Sequence, residues 1–237
     1  KHWKRAMHIV TPSNWLAKCA RESVLMRDWP ISVVPNCIDT DRWRPLDKTL
    51  AREMLSLPTD VPLVLFGAMG GSQDPRKGFD LLLDALVHLR SKFKDLQLVV
   101  FGQHPPRVLP DLGFPIHYTG HLHDDLSLRI LYSAADVLVL PSRQDNLPNT
   151  GVEAQACGTP VVAFDSGGLP DIVDHGKTGF LVKPFDAEGL AEGIQWVIED
   201  GPQVNLGANA RERAVARFSF KTVAQQYRDV YESILKQ

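Results

Sequence analysis

Residues 136–172 read DVLVLPSRQDNLPNTGVEAQACGTPVVAFDSGGLPDI. The run opens on a short apolar strand, Asp136 to Leu140, which passes into a polar loop. That loop opens a helix of small residues that Gly158 stops, and a second apolar strand, Val161–Phe164, follows directly. The Gly167-Gly168 pair then opens another helix. Strand, loop, helix and strand in this order belong to an open α/β sheet, whose ligands bind outside the carboxyl ends of the strands. Unpaired N–H groups and the positive end of the helix dipole favour a phosphate at such a helix mouth. Two acids, Asp145 and Glu153, flank the helix start with seven residues between them. The segment therefore predicts a site for a ligand that is anionic and also carries hydroxyls.

Outward from this segment the chain repeats the pattern. Leu63–Gly67 reads as a buried strand that ends in a Gly-rich loop over 67–78. Asp80–Phe93 has helical spacing, with Leu82, Leu83, Leu86 and Leu89 on one face. Leu96–Phe101 is the next strand, and Ile116–Tyr118 a short one before Gly120. Leu126–Ala135 is helical, Phe180–Val182 a last short strand, and Asp186 an N-cap for a helix over 187–199. The tail over 203–236 is helical with a break at Phe218-Ser219. Repeated βα units predict a Rossmann-like, doubly wound parallel sheet covered on both faces. Residues 1–45 stand outside the repeat: a short strand at Ile9-Val10, a helix from Ser13 to about Leu25, and a strand at Ile31–Val34. Pro35, Pro45, Pro58 and Pro62 then punctuate a connection.

Composition sets the outer limits. The 237 residues are 44% hydrophobic and 23% charged, ordinary for a globular protein and enough for one large domain or a domain with a piece of another. A net charge of −2 without a Lys/Arg run argues against a general polyanion binder. Cys19, Cys37 and Cys157 have neither metal-knuckle nor disulfide spacing, and an odd, sparse set suits a reducing cytoplasm. No apolar run approaches the roughly 20 residues of a membrane helix. Lys1 rather than Met at the start carries the expectation that upstream sequence has been cut away.

Five segments carry a resemblance: TPSNWL at 11–16, VPNCIDTDRWRP at 34–45, DPRKGFDLLLDAL at 74–86, AADVLVLPS at 134–142, and the whole of 145–182. In this order they resemble the retaining GT-B glycosyltransferases of the GT4 group. The resemblance implies a two-domain enzyme whose nucleotide-sugar donor is held mainly by the C-terminal domain. On it, residues 1–45 are expected to be the end of the acceptor-side N-terminal domain and a linker, 46–215 the Rossmann-like donor domain, and 216–237 a helix packing back toward the N-terminal domain. The implied reaction moves a sugar from a donor of UDP-glucose or GDP-mannose type to a glycan or lipid-linked acceptor, with retention of configuration. The fragment by itself should transfer little or nothing. The implied location is cytoplasmic, with peripheral association at the inner face of a membrane left open, and no nucleic-acid partner.

The resemblance also assigns residues, each against a plainer reading. Glu153 matches the second acid of an E-x7-E motif and would hold the ribose diol; alone it is a dipole-stabilising acid in a first turn. Asp145 matches the first acid, one methylene shorter than usual, and would contact the donor sugar; alone it is a loop Asp making an Asx turn. Asn146 and Leu147 would supply backbone approach. Pro148, Asn149, Thr150 and Gly151 form the helix entrance, with the amides of the last three set for phosphate or sugar hydroxyls, or with Asn149 simply capping the helix.

Lys77 becomes the diphosphate lysine, although an Arg-Lys pair is usually a solvated surface. The family's Arg after the first strand is replaced by Ala68 behind Gly67, so Arg76 or Arg143 is expected to substitute. Gly67 and the loop to Ser72 would let backbone approach the donor or the acceptor, or serve as flexible linkage. Gly102 to His104, Gly120 and His121 would lie near the base. His117, His121 and His123 with Asp124 and Asp125 suggest a metal, but strand geometry should scatter them, and no metal or cofactor is expected. Two other readings stay open: a GT-B epimerase relative, and a degenerate nucleotide-sugar-binding module favoured by the Asp145 and Ala68 departures.

Overall fold

The computed structural model describes residues 7–67 and 74–236. Strands β1 (Ile9–Thr11) and β2 (Ile31–Val33) pair in parallel as a two-stranded sheet, joined by helix α1 (Asn14–Glu22). Helix α2 (Lys48–Met54) leads to the main sheet. There follow β3 (Leu63–Gly67), α3 (Phe79–Leu89), β4 (Gln97–Phe101), β5 (Ile116–Gly120), α4 (Asp125–Ala134), β6 (Val137–Leu140), α5 (Asn149–Ala156), β7 (Val161–Phe164), α6 (Leu169–Ile172), β8 (Gly179–Val182), α7 (Ala187–Glu199), α8 (Leu206–Phe218) and α9 (Phe220–Leu235).

The six strands of the main sheet are parallel, in the order β5-β4-β3-β6-β7-β8. This is the doubly wound order in which the chain reverses direction across the sheet between β3 and β6, and ligand crevices open at that switch. The central strands β3, β6 and β7 are continuous apolar runs, buried along their length, because both of their faces are covered, whereas edge strand β5 is only partly buried. Leu63 and Leu65 point into one core with Leu138, Leu140 and Val161, beneath α4, α5 and α8. Val64 and Phe66 point into the other with Val137, Val139 and Val162, beneath α3 and α7. Truncating any of these leucines to alanine costs about 2–5 kcal/mol.

The connection after β2 is pinned rather than loose. Ile38 donates its amide to Phe218 O at 2.8 Å. Arg211 of α8 reaches the carbonyls of Trp43, Ala156 and Thr40. Val34 packs against Val223 and Val230 of α9, with Val10 beside them.

Several boundaries differ from the sequence reading. Helix α2 lies where only a connection was expected; Asp47 caps it through Leu50 N at 2.9 Å. Helix α1 ends at Glu22 rather than near Leu25, because the chain turns extended at Ser23. Helix α3 ends at Leu89, four residues short of Phe93. Residues 68–72 of the Gly-rich loop, Ala68 among them, lie outside the described residues. Among those described, no helix is long and apolar enough to cross a membrane.

Candidate functional site

At the carboxyl ends of β3 and β6, where the strand order reverses, lies a cavity of about 220 Å³. Its walls come from four pieces of chain: Phe66 and Gly67 ending β3, Lys77, then Leu140, Pro141, Ser142 and Asp145 leaving β6, and Pro148, Asn149, Thr150 and Glu153 at the mouth of α5.

Lys77 is delivered by a 3-10 turn, Pro75–Lys77, which Asp74 caps through the Arg76 amide. Gly78 behind it has φ +66°, and a Cβ there would meet Pro141 O at 1.9 Å. Only glycine allows the turn to lie so close to the loop after β6. Arg143 fastens the same contact. It donates its amide to Arg76 O at 2.8 Å, and its guanidinium to Pro75 O and, bidentate, to Asp80 at 2.8 and 2.6 Å. The result is an ion pair in the cavity wall, Lys77 Nζ to Asp145 Oδ2 at 2.7 Å.

Asp145 is held from behind as well. Its Oδ1 accepts from Asn146 N at 3.0 Å, and its carbonyl accepts from Gly168 N at 2.9 Å. Gly167, at φ +59°, passes so near that a Cβ would fall 2.3 Å from Asp145 O. The contact with the next residue's amide, rather than the two-residue reach of an Asx turn, and the ion pair thus coexist on one carboxylate.

Glu153 stands in the second turn of α5. Burial pushes its carboxyl above the ordinary glutamate value, the Tyr132 hydroxyl pulls it back, and the Asp125 charge raises it. Tyr132 Oη donates to Glu153 Oε2 at 3.0 Å. The phenol is itself held well above its ordinary value by burial and by the neighbouring carboxylate, so it remains a donor. Cys157, one turn further, is buried and pushed up to about 12, chiefly by desolvation, which makes it an inert core thiol.

Of the helix entrance, Pro148, Asn149 and Thr150 line the cavity. Pro148 occupies the cap position and offers no side-chain cap, so the first amides of α5 are left to solvent or to a ligand. Asn149 is the first helical residue instead of the cap, and its Oδ1 accepts from Asn36 Nδ2 at 3.4 Å. The Gly151 amide differs from expectation: it donates to Pro148 O at 3.1 Å. Gly151 is a packing residue here, since a Cβ would sit 2.8 Å from Leu140 Cδ1.

Asn146 and Leu147 face away from the cavity. The Asn146 side chain accepts from Ser13 Oγ at 2.6 Å, and Leu147 is buried in the core. Arg76 is bidentate on Asp74 at the surface, and Arg143 is committed to Asp80. Neither lines the cavity, so neither replaces the family arginine in this geometry. Gly120 and His121 sit at the end of β5, two strands from β3.

The histidines are less scattered than strand alternation suggests. The His121 ring lies 6.3 Å from His123 and 5.6 Å from His104, because His121 and His123 fall on the turn after β5 rather than within the strand. His117 pairs with Gln97 instead. Among the described residues no group of three or more His, Cys, Asp and Glu side chains is arranged to hold a metal ion.

Residues 62–200, more than half of the chain, match the family described as Glycosyl transferases group 1. The chain belongs to that family. This glycosyl transferase chain is 35% identical over 223 residues to D-inositol 3-phosphate glycosyltransferase of Xylanimonas cellulosilytica, covering 87% of itself and 52% of the relative. It is 34% identical to the Mycobacterium bovis protein of the same name, over 81% of itself and 41% of the relative. It therefore spans about half the length of the curated relatives it matches.

Among solved structures, sucrose-phosphate synthase from Thermosynechococcus elongatus superposes with a TM-score of 0.78 at 29% identity, covering 98% of this chain and 59% of that one. The Anabaena protein HepE, solved with UDP-glucose, shares the fold with a TM-score of 0.75 at 23% identity, over 97% of this chain and 65% of that one. The six-stranded parallel sheet flanked by helices is that of the GT-B glycosyltransferases.

Proposed function

We propose that the cavity at the switch point between β3 and β6 binds the donor of a sugar transfer, a nucleoside diphosphate sugar. One observation carries this reading: a lysine, a carboxylate paired with it and a half-buried glutamate converge there at an uncapped helix mouth. Glu153 accepts the ribose diol, Lys77 and the first amides of α5 take the diphosphate, and Asp145 meets the transferred sugar. The HepE complex with UDP-glucose makes a UDP-sugar the first donor to try, with GDP-mannose next. The acceptor is a glycan or lipid-linked hydroxyl; D-inositol 3-phosphate, named in the relatives, is the small acceptor to test.

Transfer with retention requires the acceptor hydroxyl to approach the face that the nucleotide leaves. The departing diphosphate is then the base for that hydroxyl. The protein's task is to stabilise charge growing on the diphosphate as the glycosidic bond breaks, which a fixed ammonium and oriented amides do without reorganising. Residues 1–45 belong in this reading to the end of an acceptor-side domain, and 216–237 to a helix returning to it. The reaction takes place in the cytoplasm, and closure of the two halves excludes water.

Calorimetric titration with UDP, GDP and ADP, repeated on Glu153→Ala, tests the reading. Binding of one nucleotide that the substitution abolishes is the expected result. Failure of all three to bind the full-length protein would favour the degenerate module instead.

A further inference from the structure

Tyr132 is among the largest side chains of the core with no exposed surface, yet its one polar atom ends at the candidate site. Three contacts fix it. Its ring meets Phe101 edge-on at 5.8 Å and 87°, lies 5.9 Å from Trp43, and its carbonyl accepts from Thr159 Oγ1 at 2.6 Å. Among the described residues, the phenol so clamped gives its hydrogen to Oε2 of Glu153, on the neighbouring helix.

An unclamped glutamate keeps rotamer freedom that a ligand must remove on binding. The phenol removes it beforehand and leaves Oε1, with the remaining lone pairs of Oε2, for a ligand's hydroxyls. We propose that Tyr132 is a positioning residue that makes this site selective for ribonucleotides, by holding the Glu153 carboxylate in the orientation that receives two vicinal hydroxyls. The inference rests on the donor-site reading above and adds to it the residue that sets sugar selectivity within the nucleotide.

The plainer role for a buried phenol is to satisfy its own hydroxyl. The two roles separate by measurement. A structural role moves stability alone, whereas positioning moves the preference for a 2′-hydroxyl and the pH at which binding begins. The groups around Glu153 are Tyr132 and Asp125 from α4, Cys157 on its own helix, and Lys77 and Asp145 across the cavity. Of these, the phenol favours the carboxylate form, while burial and Asp125 oppose it. Removing the phenol hydroxyl therefore shifts the acid limb of nucleotide binding to higher pH.

The experiment titrates the protein and Tyr132→Phe with UDP, GDP and ADP, then with the 2′-deoxy form of the one that binds, across pH. The unsubstituted protein should prefer the ribonucleotide about tenfold, the worth of one hydrogen bond to a charged group. In Tyr132→Phe the preference should fall to near parity, with the acid limb moved upward. Should the phenylalanine variant unfold, 3-fluorotyrosine placed at position 132 gives the same answer: its stronger donation keeps the preference and moves the limb downward.

A Tyr132→Phe protein that loses stability but keeps both the preference and the limb, or a fluorotyrosine protein whose limb stays put, overturns the proposal and leaves the donor-site reading intact. If the unsubstituted protein does not distinguish ribose from deoxyribose, or binds none of the nucleotides, the reading of Glu153 fails first and the proposal with it.

Discussion

The two ends of the main sheet each carry a basic residue locked to an aspartate at 2.7 Å, and the two pairs do opposite things. At the amino end, Arg52 is 3% exposed and donates to the carbonyls of Ala134, Thr59 and Val61 as well as to Asp136. Asp136 in turn accepts from Leu63 N and Lys48 Nζ. The donors are consumed, and the cluster clips α2 to the starts of β3 and β6. At the carboxyl end, the Lys77 ammonium pairs, among the described residues, with Asp145 and opens onto the cavity. The larger cavity, about 560 Å³, lies beside the saturated pair, and the smaller, about 220 Å³, beside the open one. Unspent hydrogen-bonding capacity at the strand carboxyl ends, rather than volume, marks the site.

The largest effect that would break this comparison concerns Arg52. Arg52→Met should destabilise the protein by about 3 kcal/mol, because it leaves Asp136 and several carbonyls without their main partner. Nucleotide affinity of the folded fraction should not change. Urea unfolding followed by titration at low urea checks both parts; a loss of affinity without loss of stability would mean the two ends are coupled.

Lys77→Ala should show the reverse pattern. Stability should move by less than about 1 kcal/mol, the usual worth of a partly exposed pair. Nucleoside diphosphate affinity should fall about tenfold or more, with a shallower dependence on salt, since a charge-assisted contact to phosphate is lost. Isothermal titration at two ionic strengths reads this directly. Asp145→Asn sharpens the point with a smaller change. Removing the competing carboxylate frees the Lys77 ammonium, so a bare nucleoside diphosphate should bind a few-fold more tightly. The intact sugar donor should gain less, because it loses its contact with Asp145; competition between the two ligands measures the difference.

The same contrast explains how much was legible beforehand. Elements whose signals are local came through: Leu63–Gly67, Val161–Phe164, the helix over 187–199 with its Asp186 cap, and the break at Ser219 were all readable from apolar runs and capping residues. Helix α2 was not, because a seven-residue helix with only Ala51 and Arg52 buried has no apolar periodicity to show. Within the site, Lys77, Asp145 and Glu153 were singled out through the resemblance to the GT4 group, because taken locally they read as a solvated basic pair, a loop Asp and a helix-start acid; the structure brings all three to one cavity. Tyr132 was not singled out, since at helical spacing it reads as core, and only the crossing of α4 and α5 aims its hydroxyl at Glu153. Arg143 was expected as a free cation and is instead a tertiary clamp on Asp80, a pairing 63 residues apart that no local pattern signals. The clustering of His104, His121 and His123 was missed for a similar reason, because two loops bring it together.

The smallest effect tests whether the carboxyl end is held at a cost to stability. Glu153 has a carboxyl raised above its ordinary value mainly by burial, so the folded protein binds that proton more tightly than the unfolded chain does. Stability contributed by this group is therefore full below the unfolded value and is lost as pH rises through the raised folded value. Glu153→Gln keeps an oxygen for Tyr132 while removing the charge. It should consequently stabilise the protein at neutral pH and make no difference well below the ordinary glutamate value. Thermal unfolding of the two proteins at acid and neutral pH reads the difference directly. A variant less stable than the parent at neutral pH would mean that the Tyr132 donation outweighs desolvation, and that the carboxylate is held there at no cost.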